Sequence, residues 1–289
     1  MDAFPIIEVP PDALFPSLKE IPQNPKTLFV RGNTTIPEGQ SLVVIVGSRN
    51  CTSYGKSVCR SLIAGLKGYP IAIVSGLALG IDSVAHEAAL DAGIPTIAFP
   101  GSGLGTKALY PAQHRQLAQR ILENGGLLVS EYPSDTRAAQ WTFPQRNRLM
   151  AGVGTFVLVV EAEMKSGTLI TARLGTEYNK IVGAIPGPIT SPSSEGTNWL
   201  LKLGAVPVTG VEDILRELNL LTEEISSKHN ETIASTEELH LLALLTEPRT
   251  RDQLIALLDA DPSEVTILLS TLEIKGLIRE SFGTIERTH

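Results

Sequence analysis

The sequence predicts an α/β protein in which a Rossmann-like, doubly wound, mostly parallel sheet precedes a small winged-helix-like domain. Short runs of apolar, often β-branched residues alternate with helical stretches between residues 41 and 218. Continuously apolar strands of this kind are typical of parallel sheets that helices cover on both faces. In residues 235–289, three helical patterns followed by two short strands predict the second domain.

Composition restricts the class of protein. The chain has 289 residues, of which 43% are hydrophobic, and a formal net charge of -7. No apolar run approaches the roughly 20 residues of a membrane helix, and the N-terminus lacks the features of a signal peptide. We therefore expect a cytoplasmic protein with no membrane partner. Two cysteines and five scattered histidines show no metal-ligand spacing, so no metal is expected.

The charge is distributed unevenly along the chain. Residues 41–218 carry 15 Lys and Arg against 13 Asp and Glu, whereas residues 235–289 carry 5 against 10. Phosphate contacts supply most of the non-specific affinity for nucleic acid, and an acidic surface opposes them. If the chain binds a polyanion, the first domain is the part that does so.

Taken in order, the chain begins with a proline-rich stretch over residues 1–40, which has one short apolar run and is predicted to be an extension packed on the core. Strands and helices then alternate in the Rossmann-like domain of residues 41–218. The predicted strands are Leu42–Val46, Ile71–Ser75, Thr96–Phe99, Gly126–Val129, Phe156–Val160 and Ile181–Ala184, with helices near Gly55–Lys67 and Ile81–Ala92.

Residues 219–234 are polar without a sustained apolar period, which predicts a linker. The winged-helix-like domain follows over residues 235–289, with helices over Glu237–Leu245, Thr250–Leu258 and Pro262–Lys275 and a hairpin after them. Its third helix carries Glu264 and Glu273 and lacks the basic face of a recognition helix. We expect this domain to serve protein contacts or regulation.

Polar residues and glycines follow several strands of the predicted sheet. In doubly wound sheets the ligand lies outside the carboxyl ends of the strands, where glycine allows close approach and Ser, Arg and Lys supply donors. Each such turn alone is more simply explained as structural, but their succession favours a binding rim. These residues are Gly47, Ser48, Arg49, Ser75, Gly76, Gly101, Ser102, Lys165, Ser166, Gly167 and Thr168.

The turn at residues 165–168 is the strongest single element of this rim. A strand runs into Lys165-Ser166-Gly167-Thr168 at the start of a predicted helix. Backbone N–H groups at a helix start, small hydroxyls and a cation together favour a phosphate. The alternative is an ordinary strand-to-helix connection with Ser166 or Thr168 as the helix cap.

Aromatic and arginine residues are interleaved between the fourth and fifth predicted strands. Phe143, Arg146, Asn147 and Arg148 fall in this segment, and Trp141 precedes them. Single-stranded nucleic acid favours such a mixture, because rings stack on bases and guanidinium groups bind phosphates. We expect Phe143 and Arg146 to face a ligand and Trp141 to belong to the core, although an arginine could instead pair with Glu131 or Glu161.

No cofactor is predicted. A dinucleotide would be the usual ligand of a Rossmann-like sheet, but the first strand is followed by Gly47-Ser-Arg-Asn-Cys-Thr52, without the G-x-G-x-x-G fingerprint, and a Walker motif is also absent.

Several motifs together resemble one known family. They include Gly47-Ser-Arg49, the stretch Ser75 to Asp82, Phe143-Pro-Gln-Arg-Asn-Arg148, the stretch Lys165 to Ala172, and Gly196-Thr-Asn198. Their identity and order, across about Phe15 to Leu218, are similar to those of the DprA/Smf family of DNA-processing proteins.

The resemblance implies an extended Rossmann-like domain, commonly dimeric, that binds single-stranded DNA without sequence preference. It further implies a non-enzymatic role in which the protein protects incoming DNA during natural transformation and recombination and loads the RecA recombinase. By resemblance, Arg49 and Lys165 would lie in the DNA pocket, with Phe143 and residues Arg146 to Arg148 on its wall. Many members have a sterile-alpha-motif-like domain before this one; we expect no counterpart of it in the given sequence, and its role is not carried over.

Two alternatives stay open at this stage. A nucleotide-binding or nucleoside monophosphate-hydrolysing enzyme could use Asp82 or Glu161, which lie at strand or loop ends, as nucleophile or base. The second alternative is a structural adaptor that works through the acidic C-terminal part of the chain. Leu200, Leu201, Ile214, Leu215 and Leu218 are apolar candidates for a dimer surface.

Overall fold

A computed structural model describes residues 4–36, 39–221, 236–245, 247–258, 260–274, 277–281 and 283–287. The chain divides into two compact units, Met1–Leu220 and Leu221–His289. None of the helices in the described ranges combines the length and the apolar character needed to cross a membrane.

The described residues of the first unit form a nine-stranded sheet. In spatial order its strands are β1 (Ile7–Val9), β2 (Leu28–Gly32), β6 (Leu127–Ser130), β5 (Thr96–Ala98), β4 (Ile71–Ser75), β3 (Ser41–Val46), β7 (Phe156–Val159), β8 (Ile181–Ala184) and β9 (Val206–Pro207). The strands from β6 to β9 in this order pair in parallel, whereas β1 and β2 pair antiparallel with each other and β2 with β6. The predicted α/β fold, with a doubly wound and mostly parallel sheet, is confirmed.

Helices cover both faces of this sheet. On one face α2 packs on α3, and on the other α5 packs on α6. The helices of the first unit are α1 (Pro11–Leu14), α2 (Ser53–Gly65), α3 (Ile81–Ala92), α4 (Arg115–Glu123), α5 (Thr142–Val153), α6 (Thr168–Glu177), α7 (Pro192–Lys202) and α8 (Val211–Glu217), with short 3₁₀ turns at Pro16–Glu20 and Ala112–His114.

Local chemistry sets where these helices begin and end. Thr52 caps α2, since its side chain accepts a hydrogen bond from Gly55 N at 3.2 Å. Gly93 ends α3 in the left-handed conformation, with φ of 72°. The predicted bounds of α3 agree with the structure, whereas α2 starts two residues earlier than predicted because its cap is Thr52.

The N-terminal extension contributes more than a packed cover. Its two strands, β1 and β2, extend the sheet beyond β6, an arrangement that no pattern in the sequence predicts. Phe15, Leu18 and Ile21 are buried in the main core beside the central strands. The extension is therefore part of the sheet and of the core.

The second unit has helices α9 (Thr236–Leu244), α10 (Arg251–Leu258) and α11 (Pro262–Ile274), followed by the hairpin strands β10 (Ile278–Ser281) and β11 (Thr284–Arg287). Leu241, Leu254, Val265, Leu272 and Ile285 are among the residues that form its own apolar core. This arrangement confirms the predicted winged-helix outline. Residues 222–234 of the predicted linker lie outside the described residues.

Candidate nucleic-acid interface

A cleft of about 400 Å³ lies at the carboxyl ends of the central strands. Strand β3 is the switch point of the sheet, because the chain builds β4, β5 and β6 on one side of it and β7, β8 and β9 on the other. Ligands of doubly wound sheets bind at such a point. The residues lining this switch-point cleft are Val46, Gly47, Ser48, Arg49, Asn50, Ala78, Asp82, Phe143, Pro144, Arg146, Asn147, Met150, Glu163, Lys165, Ser166, Gly167, Thr168, Ile170 and Thr171.

The structure brings together ten of the predicted site residues in this cleft, and five others do not line it. The lining residues are Gly47, Ser48, Arg49, Phe143, Arg146, Asn147, Lys165, Ser166, Gly167 and Thr168. The predicted residues outside the lining are Ser75, Gly76, Gly101, Ser102 and Arg148.

Two exposed cations face the cleft. Arg49 and Lys165 form no ion pair with any described residue. The guanidinium carbon of Arg49 lies 5.0 Å from the ring centroid of Phe143, which is cation–π geometry. Glu163 is an exposed carboxylate in the same lining. The accessible charge in the cleft is therefore two cations against one anion.

The turn at residues 165–168 is tied to the end of β3. Thr168 Oγ1 donates to the carbonyl oxygen of Gly47 at 3.1 Å, and Ser166 Oγ accepts from Thr168 N at 3.2 Å. Ser166 N donates to the Glu163 carbonyl at 2.9 Å, so the N–H groups of Ser166 and Thr168 are both already paired. The expectation of several unpaired donors here is therefore wrong, and among residues 166–168 the Gly167 N–H is the donor without a described acceptor.

Buried charges hold the turn that follows β4. Asp82 accepts hydrogen bonds from Gly76 N at 3.1 Å and Ala78 N at 3.4 Å, and Arg146 Nη1 donates to the carbonyls of Gly76 and Phe99. Burial raises the pKa of Asp82, while the same loss of water lowers the pKa of Arg146 to about 10. Gly76 was predicted to be part of the binding rim, but its N–H is used by Asp82 and does not line the cleft.

Leu77 at the centre of this turn has φ of 57°, an uncommon conformation for a residue with a branched side chain. His114 Nδ1 donates to the Leu77 carbonyl oxygen at 2.7 Å, and the Leu77 side chain is fully buried. The hydrogen bonds on both neighbouring peptides hold this conformation, which places Ala78 on the cleft wall.

The two arginines of α5 were predicted to face a ligand, but both guanidinium groups are already engaged by protein atoms. Arg146 lines the base of the cleft but is only 5% exposed, and its Nη1 already donates to two carbonyl oxygens. Arg148 lies outside the cleft, where it binds both carboxylate oxygens of Glu131 at 2.6 and 2.5 Å and the Gln23 carbonyl at 2.5 Å. Residues two apart on a helix point about 200° away from each other, so one ligand cannot contact both.

The remaining predicted residues support the loops around the site. Ser75 Oγ donates to the Ile45 carbonyl at 2.6 Å, and Ser102 Oγ accepts from Tyr110 N at 3.1 Å. A methyl group added to Gly101 would touch the Phe143 ring at 2.6 Å, so this glycine allows Phe143 to pack. Asn147 lines the cleft and donates weakly to the Gly167 carbonyl at 3.5 Å.

Trp141 and Tyr110 lie in places that differ from those the sequence predicts. Trp141 was expected in the core but is 60% exposed, with its ring edge-on to Tyr132 at 5.6 Å between centroids. Tyr110 was not a site candidate, yet its ring lies 5.8 Å from that of Phe143 and is 46% exposed. The signal that was available for Tyr110 is its position just after the glycine-rich loop of β5.

Comparison with known proteins connects this site to a family. Residues 7–219 match the family described as DNA recombination-mediator protein A, and residues 227–283 match the DprA winged helix domain. The chain belongs to this family. Protein Smf of Escherichia coli is 44% identical over 212 residues, which is 73% of this chain and 56% of that protein. The chain thus spans little more than half the length of that relative.

Solved structures agree with the family assignment. The crystal structure of DNA processing protein A from Streptococcus pneumoniae matches with a TM-score of 0.68 and 38% identity, covering 75% of each chain. DNA processing protein A from Helicobacter pylori, whose structure was described for its single-stranded DNA binding mode, matches with a TM-score of 0.66 and 30% identity, covering 75% of this chain and 96% of that one. The solved structures thus agree with the family match of the Rossmann-like unit, while the winged helix rests on its own family match.

Proposed function

We propose that this family member binds single-stranded DNA without sequence preference, through the switch-point cleft, and acts as a recombination mediator without catalysing a reaction. The observation that carries the proposal is the convergence of Arg49, Lys165 and Phe143 on one cleft. Cations neutralise backbone phosphates and an aromatic face stacks on any base, so this combination binds a strand with little regard to its sequence.

A hydrolytic function on nucleotides has less support. Glu161 is 2% exposed and accepts hydrogen bonds from Thr52 N at 2.9 Å and Thr52 Oγ1 at 2.6 Å. Asp82 is 6% exposed and holds the turn after β4. A nucleophile or general base must reach the reacting atom. Both carboxylates that suggested an enzyme are instead engaged with the backbone of the fold.

The biological setting in the proposal is natural transformation and recombination, in which the chain protects incoming single strands and loads RecA recombinase onto them as a homodimer in the cytoplasm. Family membership supports this setting. Leu200, Ile214 and Leu215 are buried within the first unit and are wrong as dimer candidates. Sedimentation of the full chain tests the dimer, and the lag of RecA filament assembly on a single strand tests the loading.

A salt titration of binding tests the cleft directly. Affinity for a labelled single strand and for the matching duplex is measured for wild type, Arg49→Ala and Lys165→Ala. Each substitution should weaken single-strand binding by roughly 10- to 100-fold, because a charge-assisted contact is lost. Each should also reduce the slope of log affinity against log salt by about 0.7, the value for one phosphate of a single strand.

Lys67→Ala is the matched control, because Lys67 is exposed on the same unit but lies between α2 and β4, at the opposite edge of the sheet. It should change neither affinity nor slope. If Arg49→Ala and Lys165→Ala bind like Lys67→Ala, the cleft does not hold a phosphate backbone. Release of free base from a nucleoside monophosphate would then support the enzyme instead.

A further inference from the structure

A second, smaller depression adjoins the switch-point cleft, and we call it the aromatic crevice. Tyr110, Leu79, Phe143 and Arg49 are among its lining residues. Arg49 and Phe143 line the cleft as well, so the two surfaces are continuous. A strand bound in the cleft can pass directly over this crevice.

The crevice presents ring surface to solvent. Tyr110 is 46% exposed and Leu79 40% exposed, while the Tyr110 and Phe143 rings are tilted by 58° with centroids 5.8 Å apart. The space inside is about 20 Å³, which suits a water-sized group and not a base. A planar ligand would therefore lie across the rim, against the exposed Tyr110 ring, without entering.

The loop that carries Tyr110, the start of α4 and the neighbouring loop after β6 each carry an exposed cation. Lys107, Arg115 and Arg137 are exposed and form no ion pair with any described residue. Arg115 Nη2 donates to the Lys107 carbonyl at 3.1 Å, which places the two side by side. Asp135 is an exposed carboxylate of the neighbouring loop. The surface beyond the crevice thus has an excess of positive charge.

We propose that the aromatic crevice is a base-stacking subsite, in which Tyr110 stacks on the nucleobase next to the phosphate held by Arg49 and Lys165. The inference rests on the proposed function and deepens it, because it assigns a path to the strand. The strand leaves the cleft over Phe143, places a base on Tyr110, and continues towards Lys107 and Arg115. Every base has a π-face, so the subsite accepts all four.

The test is the affinity of the full chain for two labelled strands, oligothymidylate and an abasic strand of the same length. Tyr110→Ala should bind oligothymidylate about 5- to 150-fold more weakly, the range that one stacked base supplies. Its affinity for the abasic strand should equal that of wild type, and its salt slope should be unchanged, since no phosphate contact is removed. Tyr110→Phe keeps the ring and should bind both strands like wild type.

Tyr54→Ala is the matched control, because Tyr54 has the same exposed fraction, 46%, but lies outside both lined surfaces. It should leave the affinity for oligothymidylate unchanged. If Tyr110→Ala binds like wild type while Arg49→Ala and Lys165→Ala are weakened, the subsite is refuted and the proposed function stands. Equal weakening on the abasic strand also refutes stacking, because it indicates a distorted loop. If the wild-type protein does not bind a single strand, both the base-stacking subsite and the proposed function are refuted.

Discussion

Gly76 is a glycine because packing leaves no room for a side chain, whereas Gly167 has free space beside it in the cleft. Replacing each by alanine should therefore have opposite effects on stability. An added methyl group at Gly76 would overlap the buried guanidinium of Arg146 and the carboxylate of Asp82. At Gly167, which lines the cleft, the same methyl would meet no protein atom within 4 Å, and the backbone has the helical φ of -60° and ψ of -17°. The first glycine is required by packing, and the second leaves room at the ligand surface.

Gly76→Ala should lower the free energy of unfolding by about 1–3 kcal/mol, the usual cost of overpacking a buried site. The buried Arg146 cannot move away without losing its bonds to the carbonyls of Gly76 and Phe99, so the upper part of that range is expected. Gly167→Ala should raise the free energy of unfolding by about 0.4–1 kcal/mol, because alanine restricts the unfolded chain and fits the native backbone.

Urea titration gives the free energies of unfolding, and fluorescence anisotropy with a labelled single strand gives the affinities. Gly167→Ala should bind the strand more weakly despite its higher stability, because its methyl group occupies space in the cleft. A stable Gly76→Ala, or a Gly167→Ala that binds like wild type, would refute this assignment of the two glycines.

Three further predictions concern charge. Arg148→Met should lower the free energy of unfolding by about 3 kcal/mol, because it leaves Glu131 without its buried partner. The control Arg173→Met breaks the exposed pair with Glu177 and should lower the free energy of unfolding by under about 1 kcal/mol in the same urea titration. Burial lowers the pKa of His86 to about 3, so below pH 6.5 the unfolded chain binds more protons than the folded one. The free energy of unfolding should therefore fall as the pH drops from 6.5 towards 3, by up to about 5 kcal/mol. Replacing His86 by Asn should flatten this pH dependence. Glu163→Gln removes the exposed carboxylate of the cleft and should tighten single-strand binding by about 2- to 5-fold, with a smaller gain at high salt.

The geometry of His86 explains the size of its effect. Thr96 Oγ1 donates its proton to the Ile73 carbonyl at 3.1 Å and can therefore only accept from His86 Nδ1, at 2.7 Å. The neutral ring thus carries its proton on Nδ1, and Nε2 is buried with no hydrogen-bond partner. Protonating the ring would create a buried charge, and the backbone of Ser75, which favours that charge, offsets only part of the cost of removing it from water, so the folded protein resists it.

The central strands could be predicted from the sequence because they are buried on both faces, so nearly every position is apolar. The edge strands could not. The first strand, Ile7–Val9, has only three residues, two of them exposed, and Val206–Pro207 has only two, so both are too short to show a periodic pattern. Their pairing depends on where the rest of the sheet ends, which local sequence does not encode.

The candidate site was predictable in part for a related reason. Loops after parallel strands meet at one edge of the sheet, so Arg49 and Lys165 could be placed together without knowing the helices. Arg146 and Arg148 could not, because their direction depends on the phase of α5, and a segment of mixed aromatic and basic residues gives no clear apolar period. Tyr110 belongs to an irregular loop, whose path is set by contacts such as that from Tyr110 N to Ser102 Oγ.

The excess of acidic residues in the whole chain is compatible with a site for a polyanion because of where the carboxylates act. Asp82 lies in the cleft lining but is buried beside Arg146, and Glu161 is buried against Thr52, so neither presents a free charge to a ligand. At the cleft surface Arg49 and Lys165 outnumber Glu163. Charges within about a Debye length, roughly 8 Å at physiological salt, dominate what a bound phosphate experiences. The net charge of the whole chain therefore does not argue against the proposed binding of a single strand, because the charges close to the cleft are the ones that a phosphate would experience.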